Sequence, residues 1–400
     1  MKIYKHVVKR WVFVFLCMLT TNTLFSQGKL IELRGLVKDA GDFEVPFASV
    51  FLENSRAGTT TTEDGEFSLI VKEADLQDVL TVSSLGFETY KIKVQDYLKL
   101  SEKKIILKDA VVALDAVRIL TPKEYVLKAL DRLEETTVSD THMLKMLYRR
   151  ASSEDGKARF FMEQYLKVLD QGPSASTLRA IEVVESRKSA DYRFVKKKEF
   201  RHSVIPMTVR NSLRHLSSRN VKKAKWENVG NSSYEGEDVV IVEGGIYDEH
   251  TNKVKLYIGM DTYGVYRVDN TSNNSVYIYT KNKEGKLYLS YHTRAWESKH
   301  TIDEHLRKLL KKKPGEHQVS TTYKHEVFVM GIETDRKKRR VNNQQEAHTK
   351  DMSLLKIPYH ADFWSDFKAP PETKYFKQIK KELASHFGVP LEQQFNLVNR

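Results

Sequence analysis

Gly58-Thr59-Thr60-Thr61-Thr62-Glu63-Asp64-Gly65-Glu66-Phe67 reads as a strand, a tight turn and the start of a second strand. β-branched threonines favour extended backbone. Asp-Gly between two strands is a hairpin signal, because glycine takes positive φ without steric cost. Phe67, Leu69 and Val71 then alternate with polar neighbours, and the same period of two runs outward in both directions. Upstream, Ile31, Leu33, Gly35 and Val37 alternate, and residues 47–52 form a further strand. Downstream, Leu80 and Val82, then Tyr90, Ile92 and Val94, then Ile105 and Leu107 continue it. Turn signals at Asp39-Ala40-Gly41-Asp42, Arg56-Ala57-Gly58 and Leu85-Gly86-Phe87 separate these segments. Short strands at near-regular spacing predict a small β-sandwich over residues 30–110.

The order Gly35-Leu36-Val37-Lys38-Asp39, Val45-Pro46-Phe47-Ala48-Ser49-Val50, the threonine hairpin, and Leu80-Thr81-Val82-Ser83-Ser84-Leu85-Gly86-Phe87 resembles the carboxypeptidase regulatory-like domain. The resemblance implies a transthyretin-like sandwich of seven strands, common in envelope proteins of Bacteroidetes-type bacteria and at the N-terminus of many TonB-dependent transporters. A fold does not fix an activity. The carboxypeptidase zinc centre belongs to a separate domain whose ligand pattern opens with His-x-x-Glu. None of the 13 histidines here has glutamate at that position, and no His-Glu-x-x-His occurs. The zinc-hydrolase reading therefore has no ligands. Asp64-Gly65 is explained as a turn; a calcium loop needs more oxygen ligands at set spacing.

Ala113-Leu114-Asp115-Ala116-Val117-Arg118-Ile119-Leu120 is similar to the segment that leads towards the plug and barrel in those transporters. Here Thr121-Pro122-Lys123-Glu124 instead starts a helix, with threonine as cap, proline in the first turn and glutamate closing the capping box. Val126, Leu127, Leu130 and Leu133 give it an apolar stripe. Residues 111–140 are thus read as linker and helix, and the chain that remains is too short for a transporter barrel.

Residues 1–26 have the three parts of a secretory signal: basic Lys2, Lys5, Lys9 and Arg10, an apolar run from Trp11 to Leu19, and a polar segment with small Ser26 before Gln27. The run is short for a bilayer span, which takes about 20 residues; an uncleaved anchor is the alternative. Cys17, the one cysteine, lies inside this run behind Leu16, where a lipoprotein signal needs a small residue. The expectation is an exported protein, periplasmic or outer-membrane-associated, that is not a lipoprotein. Its mature chain has no disulfide, thiol nucleophile or cysteine metal ligand. The net charge is +13, of which the signal supplies four. Outside the cytoplasm such a charge points to anionic lipid or glycan surfaces, or envelope proteins, rather than nucleic acid. The plain alternative is a solubilising surface.

Residues 141–360 read as a second, antiparallel β-rich domain. Leu144, Met146 and Tyr148 alternate before a turn at Glu154-Asp155-Gly156-Lys157, and residues 160–169 return. Residues 171–225 have no clear period. From Val240 onward a meander follows, with turns at Asp261-Thr262-Tyr263-Gly264 and Lys283-Glu284-Gly285-Lys286. Lys255-Leu256-Tyr257-Ile258-Gly259-Met260-Asp261-Thr262-Tyr263-Gly264-Val265 resembles the strand–turn–strand unit of lipoprotein-carrier-like half-barrels, which implies a curved sheet able to hold acyl chains. The physical alternative is a sheet closed over its own core, since apolar stripes are usually core.

Within this domain residues 301–314 read as a basic helical insertion. Thr301 and Glu304 form a capping box; Ile302, Leu306, Leu309 and Leu310 make one face. Arg307, Lys308, Lys311, Lys312 and Lys313 are candidates for contact with an anionic surface. A short helix over a sheet edge fits the same pattern. Arg336-Lys337-Lys338-Arg339-Arg340 reads as an exposed loop.

Residues 361–400 read as a helical clasp: aromatic anchors at Phe363, Trp364 and Phe367, a break at Pro370-Pro371, and Phe376, Ile379, Leu383 and Phe387 on one helix face. There is no Gly-x-Ser-x-Gly elbow and no phosphate-binding loop. The expected fold class is mainly β: a seven-stranded sandwich, a linking helix, and a larger antiparallel domain with C-terminal helices. The expected function is a non-enzymatic binding or scaffold protein of the envelope, without cofactor. A lipid or acyl-chain carrier and a cryptic glycan or peptide hydrolase are the alternatives. An enclosed apolar cavity would favour the carrier, converging carboxylates in a cleft the hydrolase, and a filled core with a free strand edge the scaffold.

Overall fold

The computed structural model describes residues 29–110, 120–195, 202–245, 253–386 and 388–398. The signal segment, residues 111–119, the Lys196-Lys197-Lys198 run and Phe387 lie outside the described residues. The fold is mainly β, as the sequence implied.

Seven strands build the N-terminal sandwich: β1 (Leu30–Asp39), β2 (Ser49–Leu52), β3 (Gly58–Thr60), β4 (Glu66–Lys72), β5 (Val79–Ser83), β6 (Tyr90–Lys93) and β7 (Lys104–Leu107). One sheet has the order β4-β1-β7, the other β3-β2-β5-β6. The alternating residues Leu33, Val37, Val50, Phe67, Leu80, Val82, Ile105 and Leu107 meet in its core. Val94 does not continue β6. It begins α1 (Val94–Lys99), which buries Val94 and Tyr97 together. The Tyr97 hydroxyl donates to the Arg34 carbonyl at 2.7 Å. A Cβ on Gly35 would lie 2.2 Å from that hydroxyl, so this close approach requires glycine.

After α2 (Pro122–Asp131) the chain forms one ten-stranded antiparallel sheet. Its strands are β8 (His142–Glu154), β9 (Lys157–Asp170), β10 (Ala180–Lys188), β11 (Trp226–Tyr234), β12 (Glu237–Gly245), β13 (Lys253–Gly259), β14 (Val265–Asn270), β15 (Ser275–Lys281), β16 (Leu287–Thr301) and β17 (Gln318–Glu333). The order is β10-β9-β8-β17-β16-β15-β14-β13-β12-β11, so the last strand pairs with the first and the edges are β10 and β11. β10 and α3 (Ser218–Lys223) occupy the stretch 171–225 that has no clear period in the sequence. The Thr121/Glu124 capping box of α2 is present as read.

The inner face of this sheet is filled by the chain itself. Tyr125, Val126 and Ala129 of α2, Val221 of α3, Val204, Met207 and Leu213 from the connection before it, and Met352 and Leu355 pack on Leu144, Met146, Met162, Leu166, Val240, Leu256, Ile258, Tyr277 and Val327. Apolar burial of this kind stabilises by about 25 cal/mol per Å². The turn joining β13 to β14 is held by Glu237. Its carboxylate accepts from the Thr262 backbone N–H at 2.7 Å, the Asp261 N–H at 3.1 Å, the Thr262 hydroxyl at 3.1 Å, and the Tyr266 hydroxyl. Glu237→Ala strands these donors and should cost about 1–3 kcal/mol, read as a lower urea midpoint with unchanged slope.

The outer face carries the sandwich and the C-terminal helices α5 (Ala361–Asp366), α6 (Lys374–His386) and α7 (Leu391–Val398). Phe376, Ile379, Leu383 and Phe395 pack on Ala151 and Phe161. Trp364 joins Leu147, Ile278, Tyr291 and Phe328.

The basic insertion differs from its expectation. Thr301 belongs to β16 and pairs with Gln318, so it cannot cap. Asp303 accepts from the Leu306 N–H at 2.8 Å instead, and α4 (Glu304–Leu309) is six residues long. Leu309 is exposed and Ile302 buried, so the four apolar residues do not form one face.

Candidate binding cleft between the sandwich and the large sheet

Residues of the threonine hairpin and its neighbours set the sandwich on the sheet. The Thr60 hydroxyl donates to Ser290 Oγ at 3.2 Å, Ser49 and Thr280 hydroxyls meet at 3.1 Å, and the Thr293 hydroxyl donates to Glu63 at 3.3 Å. Lys324 forms an ion pair with Glu63. Phe47 has φ of 61°, rare for an aromatic residue, and its ring lies 5.2 Å from that of Tyr291 and beneath Arg267. Asp64, the turn residue weighed above as a calcium ligand, accepts from the Lys374 backbone N–H at the start of α6. Glu44 and Glu66 pair with Lys374 and Lys377 of the same helix.

Two cavities lie along this seam. The smaller, about 200 Å³, is lined by Phe47, Phe87, Tyr234, Tyr266, Arg267 and Tyr279 among others. The larger, about 320 Å³, runs between β3, β4, the β15–β16 turn, the end of β17 and the segment after α5. Its apolar wall is Leu69, Ile70, Tyr288, Met330, Ile332 and Pro370; its charged residues are Arg56, Lys283, Lys368 and Glu284. That volume is at the low end of ligand sites, which pair apolar walls with a few placed polar groups.

Local sequence explains how the cations are presented. The buried Asp78 carboxylate accepts from the backbone N–H groups of Asn54 at 3.1 Å and Ser55 at 3.0 Å, which fixes the turn before Arg56. Arg56 then lies over the Phe51 ring at 5.2 Å with φ of 54°. Asn282 accepts from the N–H groups of Glu284 at 3.1 Å and Lys286 at 2.8 Å, closing the turn read from the sequence and leaving Lys283 exposed. Arg56, Lys283 and Lys368 make no ion pair with a described residue.

Carboxylates do converge on the outer face, but below the surface. Arg149 donates to Glu163 at 2.7 Å and to Glu326 at 2.9 Å, and the Tyr291 hydroxyl donates to Glu326 at 2.7 Å. Arg149 also donates to the carbonyls of Pro370 and Pro371, both at 3.1 Å, so the C-terminal segment roofs the cluster. Burial raises Glu163, but the Arg187 and Arg149 charges overcome it and hold its pKa down at about 2. Burial of Glu326 outweighs Arg149 and leaves its pKa above the ordinary value. Such opposed shifts mark acid–base pairs in open sites. Here Arg149, Glu163 and Glu326 are each 0% exposed, so the cluster is a staple rather than a cleft.

The inner face holds a second polar cluster. His202 and His325 ring nitrogens lie 3.1 Å apart, His202 stacks on Trp296 with centroids 5.6 Å apart, and Arg150 pairs with Asp351 at 3.0 Å. Among the described residues no group of three or more His, Cys, Asp or Glu could hold a metal. No described helix is long and apolar enough to cross a membrane.

Of the sequence-read basic residues, Arg307 is buried, paired with Glu304, and donates to the Lys312 carbonyl at 2.6 Å. Lys312 pairs with Asp155 at 2.8 Å. Lys308, Lys311 and Lys313 remain exposed. The insertion therefore presents three cations rather than five. Sequence reasoning did not single out Arg56, Lys283 or Lys368, which are remote from one another in the chain and meet only through the sandwich–sheet contact.

The chain matches no curated protein. A DUF1329 family protein from Desulfovibrio piger is 12% identical, with 59% of this chain and 100% of that chain covered, at a TM-score of 0.26. A LolA superfamily protein from Nitrosomonas europaea is 12% identical, covering 52% and 94%, also at 0.26. An outer membrane lipoprotein-sorting protein domain from Vibrio parahaemolyticus is 10% identical, covering 54% and 97%, at 0.24. At such identities and scores these likenesses carry no argument. The family model of the CarboxypepD_reg-like domain matches residues 33–119. The N-terminal sandwich is thus a CarboxypepD_reg-like domain, seated on the outer face of a ten-stranded antiparallel sheet.

Proposed function

We propose that this is a non-enzymatic binding or scaffold protein exported to the bacterial envelope, acting in the periplasm or at the outer membrane without a lipid anchor. The observation that carries the reading is the filled inner face: α2, α3 and the segments around Met207 and Met352 occupy the space where a carrier would hold an acyl chain. The carboxylates with displaced pKa values are sealed beneath Pro370 and Pro371, which speaks against the hydrolase. What stays open is the cleft between sandwich and sheet, where Arg56, Lys283 and Lys368 stand unpaired over an apolar wall.

A fluorescent apolar probe, N-phenylnaphthylamine, tests this directly. No saturable uptake by the purified full chain is expected. Stoichiometric uptake, displaced by phospholipid, would establish the carrier and end the scaffold reading.

A further inference from the structure

Three strand edges that pair with no further described strand line the larger cavity. β3 is the outermost strand of its sheet and contributes Gly58 and Thr59. β4 is the outermost strand of the other and contributes Ser68, Leu69 and Ile70. β17 contributes Met330, Gly331 and Ile332. Its pairing with β16 ends at Tyr291 opposite Phe328, and its register with β8 shifts between Val329 and Gly331, so Met330 lies in a bulge and residues 331–333 are paired on the β8 side alone. A strand edge carries main-chain donors and acceptors that another chain can satisfy. An extended segment added to such an edge gains hydrogen bonds from the backbone and specificity from side-chain pockets.

The charges at the rim choose the occupant. Arg56, Lys283 and Lys368 line the cavity with one acid, Glu284, while Glu53 lies close enough to feel the Arg56 charge and Glu32 that of Lys368. The other nearby carboxylates are engaged: Glu32 with Arg34 and Ser68, and Glu53 with Lys91 and Thr81. An acidic ligand would offset the remaining positive charge. The wall of Ile70, Met330 and Ile332 would take alternate apolar side chains, which in a strand point to one face. We infer that the cleft binds an extended acidic peptide segment of an envelope protein, laid along the free edge of β3 or β17 with its carboxylates towards Arg56, Lys283 and Lys368. The inference rests on the binding reading above and names its partner class.

The test uses the full chain and a fluorescein-labelled short peptide alternating glutamate and valine, with a lysine–valine peptide as control. Anisotropy is expected to show saturable binding of the acidic peptide only, weakening with added salt. Lys283→Glu combined with Lys368→Glu should weaken it by about tenfold or more, as for rim charges that steer association. Both side chains are exposed, so the fold should tolerate the change. Gly331→Phe is a second variant: nothing lies within 4 Å of where its side chain would begin, and it should block binding with an unchanged melting curve. Hydrogen exchange should slow at residues 58–60 or 330–333 when peptide is bound. Absence of saturable binding overturns the inference, and so does binding that leaves both edges unprotected. If an acidic oligogalacturonate binds in place of the peptide and loses affinity on charge reversal, the peptide assignment falls while the binding reading stands. Saturable phospholipid uptake ends both.

Discussion

Arg149→Met should destabilise the protein by about 3–5 kcal/mol, the range for breaking a buried ion pair by removing one partner. The side chain is wholly buried, holds two carboxylates and two carbonyls, and lies against the rings of Phe328 and Phe376 at 5.9 and 5.4 Å. Methionine replaces much of the volume and none of the donors. Glu163 keeps Arg187, which donates to it at 2.7 Å, whereas Glu326 keeps the Tyr291 hydroxyl and the weaker influence of the Lys324 charge. Burial already places Glu326 above its ordinary pKa, and removing Arg149 raises it further. A carboxylate raised in the folded state stabilises below its unfolded pKa and loses that contribution as pH climbs through the folded value. The deficit of the variant should therefore be larger at pH 7.5 than at pH 5.5 in urea titrations. Adding Glu326→Gln should recover part of it. A deficit below about 1 kcal/mol would mean the cluster is not the clamp between strands and C-terminal segment described here.

The second large effect is acid lability from buried histidines. Burial lowers His142, and lowers His202 to about 2 with help from Arg150, Arg193 and Arg294. It lowers His292 to about 3, partly opposed by the Val276 carbonyl. His325 falls well below its ordinary value through burial, its neighbour His202, and Arg150. His202, His292 and His325 stay neutral in the folded protein at pH 5.5, and His142 is shifted in the same direction, while in the unfolded chain each takes up a proton near pH 6.5. The unfolded state then binds more protons, and stability falls as pH drops below about 6.5, by up to about 1.4 kcal/mol per pH unit for each histidine. Glu326, raised rather than lowered, works in the opposite direction but is one group against four. Urea midpoints at pH 7.5 and 5.5 measure the sum. Equal midpoints would show that these imidazoles charge inside the fold.

Local chemistry is what the sequence displayed well. Gly65, Asp155, Gly156 and Gly285 take positive φ in the turns read from the sequence, and Thr121 caps α2 through Glu124 as read. Period-two alternation located most strands. The failures are long-range. The helix of the basic insertion was expected to be capped by Thr301, but pairing of Thr301 with Gln318 takes it into β16 and Asp303 caps instead. Arg307 looked like one more surface cation, yet Glu304 and the Lys312 carbonyl bury it. The inner-face filling by Val204, Met207 and Leu213 comes from a stretch with no period, because irregular segments pack side chains without a repeating geometry. Arg149 and Arg150, adjacent in one strand, point to opposite faces and serve separate clusters, one with Glu163 and the other with Asp351. The cleft was equally invisible, since its walls come from residues 55–70, 282–288, 330–334 and 368–370, brought together only by tertiary contact.

Native mass spectrometry of the protein purified from its own envelope measures most directly whether the inner face is closed by the chain itself. The expected spectrum shows the polypeptide mass without a lipid adduct, before and after delipidation. A discrete adduct of lipid mass, lost on delipidation, would contradict the filled sheet and make the protein a carrier.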